Sequence, residues 1–311
     1  MGTVLDTDRP AEPHVVLGMV LRLASAIALA AMFAGVKWAG QHGVSVGESL
    51  FYRQIGTALC AVGWVALGPG FASLKTKRVG AHVARMVIGV VAMGLNFLTF
   101  VLLPLAEATA IGFSVPIFAT LLAALVLGER TGWWRWSAVL AGFLGVLVIV
   151  QPGSGHIEVH GGAVAVAAAL STAGATIAIR RLGATEAVAT TVFWFAVSSL
   201  VPLAIVMLFV AKPHDAQIFA VIAGLSLAGG VAQLLLTGAL RLAPVALVMP
   251  MDYSALLWAS LLGWLIFGQL PSHWTGLGAP MVIAAGLVIL WREQRLRIAG
   301  SATAAVPEVN E

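Results

Sequence analysis

Charge is scarce in this 311-residue chain: Asp, Glu, Lys and Arg make up 10% of it, against about a quarter of an ordinary soluble domain. With 60% of residues hydrophobic and a mean hydropathy of +0.99, too little polar surface exists to cover a water-exposed globule. The net charge of +4 does not gather into a soluble basic face, which excludes nucleic acid as a partner. One cysteine, Cys60, excludes an intrachain disulfide; among apolar neighbours it reads as packing. The histidines (His14, His42, His82, His156, His160, His214 and His273) fall in tails, loops or the ends of apolar runs, so no cluster stands ready for haem, metal or a proton relay inside a membrane. HExxH, GxxxxGK[ST] and GxSxG motifs are missing as well, so the sequence gives no sign of an enzyme, a nucleotide-driven pump or a cofactor.

Long apolar runs are what the chain does have. Residues 86–106, 108–128, 136–157, 187–211, 216–240 and 253–291 carry no Asp, Glu, Lys or Arg, and a helix of about 20 residues crosses a bilayer. The fold class expected is all-α integral membrane with ten transmembrane helices, near 16–38, 44–67, 82–103, 106–128, 133–151, 161–180, 186–210, 217–240, 243–267 and 272–291. Barrel strands of about ten alternating residues are not the pattern. Residues 1–15 lack a basic segment, short apolar core and cleavage site in series and read as a cytoplasmic tail. A second cytoplasmic tail covers 292–311. With both termini inside, every Lys and Arg except Lys37, Lys212 and Arg53 lies in a cytoplasmic segment or an adjoining helix end, as the positive-inside rule requires. Trp38, Trp64, Trp133, Trp134, Trp136, Trp274 and Trp291 fall at span ends, where an aromatic belt belongs.

The runs repeat. "NFLTFVLLPLAEA" (Asn96 to Ala108) aligns without gaps on "QLLLTGALRLAPV" (Gln233 to Val245), "LFYRQ" (Leu50 to Gln54) on "VFWFA" (Val192 to Ala196), and "LVLGER" on "LIFGQL", with Trp134 on Trp274. The shared order points to two five-helix units, 16–151 and 161–291. Because five is odd, the second enters the membrane from the opposite side, giving inverted repeats of the kind secondary transporters use.

Against this background two charges stand out. Arg53 lies about nine residues into the second span and Asp252 about nine into the ninth, so at 1.5 Å per residue each is roughly 13 Å from its surface. An ionised side chain at that depth needs a partner, a hydrated cavity or a task. Both are expected to face one central cavity, paired with each other or parted by a polar solute; the competing reading is a structural cap or an interhelical bond. The repeat-equivalent Asn96 and Gln233 are expected to hydrogen-bond solute or to join helices. Tyr253, Trp194 and Trp258 suit an aromatic-lined pocket, or plain packing. Pro116, Pro202, Pro250 and Pro280 interrupt helical hydrogen bonding inside spans; Pro250 stands two residues before Asp252 and favours a binding or gating role there, with Pro116 marking the equivalent region of the fourth span. Glu48 is a shallower candidate for coupling, or a solvated interfacial residue. Glu107 and Glu129 sit at helix ends and read as solvated or capping, and Ala141 with Gly145, four apart, as close-packing contacts.

These features resemble the ten-helix EamA branch of the drug/metabolite transporter superfamily. The likeness rests on "LFYRQ", on "LPLAEATAIGFSVPIFATLLAALVLGER" and on "GALRLAPVALVMPMDYSALLWASLLGWLIFGQ", and covers nearly the whole chain. Gln269 departs from it, where the second repeat of the family usually has Glu. The resemblance implies two EamA repeats around a central cavity and alternating access by rocking bundles. What is expected is therefore a secondary transporter in a bacterial inner membrane, an exporter of a small polar or amphipathic metabolite such as an amino acid, with protons or another ion as coupling partner. The alternatives are an uptake carrier for a vitamin or metabolite and, from another class, a membrane-embedded enzyme acting on lipids. Monomer and homodimer stay open.

Overall fold

Prolines and capping side chains cut the apolar runs into helices. The computed structural model describes residues 12–68, 70–127, 133–151, 158–183, 185–186, 188–243 and 249–304. The helices are α1 (Glu12–Gln41), α2 (Val46–Leu67), α3 (Val79–Leu102), α4 (Leu105–Gly112), α5 (Val115–Leu127), α6 (Trp133–Val150), α7 (Val159–Gly183), α8 (Val188–Val210), α9 (Ala216–Leu242), α10 (Ala255–Phe267) and α11 (His273–Ala304). Short 3₁₀ turns occupy Phe71–Leu74 and Met249–Ser254, and no strand occurs among the described residues.

Local chemistry accounts for the boundaries. Pro104 forces the residue before it into extended backbone; Leu103 sits at φ −107, ψ 158 and α3 stops. Ser45 caps α2 and forms a capping box with Glu48, while Asp215 caps α9 through the Ile218 N–H. Gly268 ends α10 in the left-handed region at φ 63, which glycine adopts without a Cβ clash.

Eight helical stretches are long and apolar enough to cross a membrane, and two shorter ones, Trp136–Val150 and Met251–Phe267, stand where the fifth and ninth spans are expected. The chain is a multi-pass membrane protein. α1 packs along α9, α3 along α7, α6 along α11, and α2 along α8 and α9, while α4 meets α10.

Lipid tails are as apolar as leucine, so helices here associate through close packing at small residues. A Cβ on Gly56 would lie 2.6 Å from the Ser226 carbonyl oxygen, one on Gly18 2.6 Å from the Ala243 Cβ, and one on Gly278 2.5 Å from the Gly145 carbonyl oxygen. The contact face of α6 is therefore Gly142 and Gly145; Ala141, expected beside Gly145, is exposed. Helical periodicity explains the correction, because residues three apart share a face as well as residues four apart. Cys60 fills the space beside Gly230, in keeping with a packing role.

Candidate functional site

Asp252 stands in the 3₁₀ turn Met249–Ser254, two residues after Pro250. Proline lacks the N–H a continuous helix needs, so chain break and carboxylate coincide as expected. The expected pairing with Arg53 is not formed. Arg22 Nε donates to Asp252 Oδ1, with side-chain exposures of 12% for Arg22 and 31% for Asp252. Arg22, expected at the cytoplasmic end of the first span, lies ten residues into α1, and its Nη1 is buried with no partner. Counting along a helix gives depth but not azimuth, and α1 is the helix that packs against this turn.

Tyr253 is half-buried between α4 and α11. Its ring meets Phe113, at the end of α4, edge to face with centroids 5.0 Å apart, and its hydroxyl reaches the backbone of α11 at Gly286. Trp258, one turn further along α10, has a buried indole N–H without a partner. Pro116 opens α5 just after the break at Phe113 and Ser114, so the fourth and ninth apolar segments are both interrupted where they meet.

Arg53 has other partners. It is 8% exposed, donates from Nη1 to Gln54 Oε1 at 2.9 Å, and lies against Gly229 of α9. Asn96 Nδ2 donates to Thr172 Oγ1 of α7 at 2.9 Å and to the Ala92 carbonyl at 2.7 Å, the interhelical bond foreseen as its alternative role. Trp194 donates from Nε1 to the Leu74 carbonyl at 2.9 Å, tying α8 to the segment after α2. Gln233 is partly buried in α9.

The family profile of EamA-like transporters matches residues 16–151 and again 160–291. The chain belongs to the EamA-like transporter family. A riboflavin transporter of Rhizobium johnstonii is 33% identical over 73% of this chain and 75% of its own. An S-adenosylmethionine uptake transporter of Rickettsia prowazekii is 26% identical over 80% and 84%, and a pseudopaline exporter of Pseudomonas aeruginosa 26% identical over 88% and 95%. A crystal structure 19% identical, covering 89% of this chain and 96% of its own at a TM-score of 0.58, shares the fold.

Two buried polar residues of this EamA-like transporter, Lys37 and Glu48, differ from expectation, and a third, Glu107, takes its capping alternative. Lys37, expected outside, is 3% exposed; its Nζ donates to the Leu103 carbonyl at 2.6 Å and to Phe100 at 3.4 Å. Those are the carbonyls that Pro104 leaves open by ending α3, so the LPLA motif was the available signal. Glu107 is 2% exposed; Oε1 accepts the Ser272 N–H at 3.0 Å and the Thr275 hydroxyl at 3.1 Å. This is the capping alternative, acting across the fold on the first turn of α11. Glu48 is 1% exposed rather than solvated: beyond the capping box it accepts the Lys212 N–H and faces His214 Nε2, both at 3.0 Å, clamping the start of α2 to the chain ahead of α9. Glu129 lies outside the described residues. No group of three His, Cys, Asp or Glu among the described residues is placed to hold a metal ion.

Proposed function

We propose that the protein is a secondary transporter of the bacterial inner membrane which moves a small polar or amphipathic metabolite by alternating access. In this reading ten spans form two inverted five-helix repeats around a solute site at Asp252, Arg22, Tyr253 and Trp258, with Arg53 and Gln233 on the opposite wall and Pro116 and Pro250 at the gating breaks.

The observation that carries it is the ion pair between α1 and the broken ninth segment. A carboxylate and a guanidinium so deep in an apolar chain are costly unless paired or hydrated, and a pair with a free guanidinium N–H and a neighbouring free indole N–H can exchange partners with a solute. The packing supports the inversion. Exchanging equivalent helices of the two halves turns α1 on α9 into α7 on α3, and α5 on α7 into α10 on α1; each of these pairs packs. The offset of 140 that aligns Trp134 with Trp274 also aligns Phe113 with Tyr253, whose rings touch, as equivalent residues beside a two-fold axis do.

Export is the first reading, in line with the pseudopaline exporter of Pseudomonas aeruginosa, which matches over 88% of this chain. The riboflavin and S-adenosylmethionine uptake relatives favour a second reading, uptake of a vitamin or nucleoside-like metabolite. Asp252 is the proposed proton carrier. The test is a thermal-shift screen of the purified protein with amino acids, vitamins, S-adenosylmethionine and opine-type carboxylates. Hits are then followed by counterflow in proteoliposomes, with and without a proton gradient. Counterflow of a hit supports transport; flux undiminished after collapse of the proton gradient removes the coupling role.

A further inference from the structure

Arg22 has Asp252, but Arg53 of α2 and Arg85 of α3, both beside α8, have no acid partner among the described residues. Arg53 is almost fully buried and its Nε lacks a hydrogen-bond partner. Arg85, six residues into α3, holds its guanidinium 4.2 Å from the centre of the Phe195 ring, and its Nε and Nη1 are buried without partners. Arg53 reaches the same residue of α8 through Gln54, whose Nε2 donates to the Phe195 carbonyl at 3.5 Å. The ion pairs among the described residues lie elsewhere: Arg22 with Asp252, His214 with Glu48, and His82 with Glu186.

The surroundings hold both side chains in place. Gln54, which accepts from Arg53, donates to the Ser199 hydroxyl at 2.6 Å. Ser199 stands one turn after Phe195, so α8 braces both arginines. Glycine makes room for each: a Cβ on Gly89 would lie 2.1 Å from Arg85 Nη1, and one on Gly229 3.5 Å from Arg53 Nε. A guanidinium stacked on an aromatic face keeps its N–H groups free in its own plane, the geometry that grips carboxylate or phosphate oxygens.

We propose that Arg53 and Arg85 form an anion site, and that the transported solute carries a carboxylate or phosphate group which this site binds. The proposal deepens the transport reading and rests on it. Like charges buried together without counter-charge favour an anion between them, and three unused donors give it a place to bind.

The test uses the full-length protein in neutral detergent and in vesicles. Thermal shifts are read with inorganic phosphate, with organic acids and with the matching amides, for the wild type, Arg85→Gln, Arg53→Gln and Arg85→Lys. The acids and phosphate are expected to stabilise the wild type and the amides not. Either Gln variant is expected to weaken that binding at least tenfold, with Arg85→Lys intermediate. Arg85→Gln is also expected to raise the melting temperature of the ligand-free protein, because it removes an uncompensated charge. A purely structural Arg85 would lower it, which overturns the proposal without any need for ligand. Acids and amides acting alike, or stabilisation only by phosphatidylglycerol vesicles over phosphatidylcholine, also overturn it. Counterflow restricted to neutral or cationic solutes sinks the anion site and leaves transport standing. Anion binding lost in both Gln variants, with no counterflow of any hit, keeps the site and sinks transport.

Discussion

Asp252 and Arg22 hold each other in a region where neither is stable alone. Removing one leaves the other unpaired, at a cost of about 2.5–3.5 kcal/mol for a charge at mid-membrane, less for Asp252 because it is partly exposed. Arg22→Gln and Asp252→Asn are each expected to lower the melting temperature in detergent, and the double variant to recover at least half of the summed loss. A double-mutant cycle with strictly additive losses would mean that the two side chains do not interact. Lys37→Met is a contrasting case: it strands the Leu103 carbonyl at a cost of about 1–3 kcal/mol, so unfolding temperature falls while ligand affinity stays at the wild-type value. The place of Asp252 inside an apolar run was readable from its uncharged flanks. Arg22 was not, since a basic residue near a helix end satisfies the positive-inside rule whether it snorkels to the surface or turns inward. Register between helices decides that, and register is absent from one helix's own sequence.

Glycines where helices cross and prolines where they break shape the elements, and the two differ in legibility. Pro104 ends α3 as the sequence leads one to expect, because the constraint is local to the chain. The α6–α11 crossing was half legible: Gly145 was found and its partner face misjudged, because a small residue signals close approach without naming the side it faces. Gly278→Ala is expected to force α6 and α11 apart and to cost about 1–3 kcal/mol, the usual price of overpacking. Gly276→Ala, two residues earlier with open space where its Cβ would go, is expected to be neutral or to stabilise by up to about 1 kcal/mol through helix propensity. Paired unfolding curves check the opposite signs, and equal effects would show that the crossing is not tight.

Across the whole molecule the family profile matches twice, over 16–151 and 160–291, and "LFYRQ", LPLA with LRLA, and the paired tryptophans are the sequence signals that led to a period being expected. What stayed hidden was which charged groups the halves would bring together. Arg53 was placed opposite Asp252 by depth alone; in the structure it bonds Gln54 and lies against Gly229, while Asp252 takes Arg22. The residue aligned with Arg53 in the second half is Phe195, so the likeness of the halves does not extend to charge at this position, and the proposed solute site is asymmetric. Its most direct test is counterflow of a screened ligand in proteoliposomes carrying wild type or Asp252→Asn, with folding verified by a sharp unfolding transition. At least a tenfold loss of flux and of ligand-induced stabilisation in the folded variant is predicted; wild-type flux and affinity in Asp252→Asn would contradict a solute site at this carboxylate.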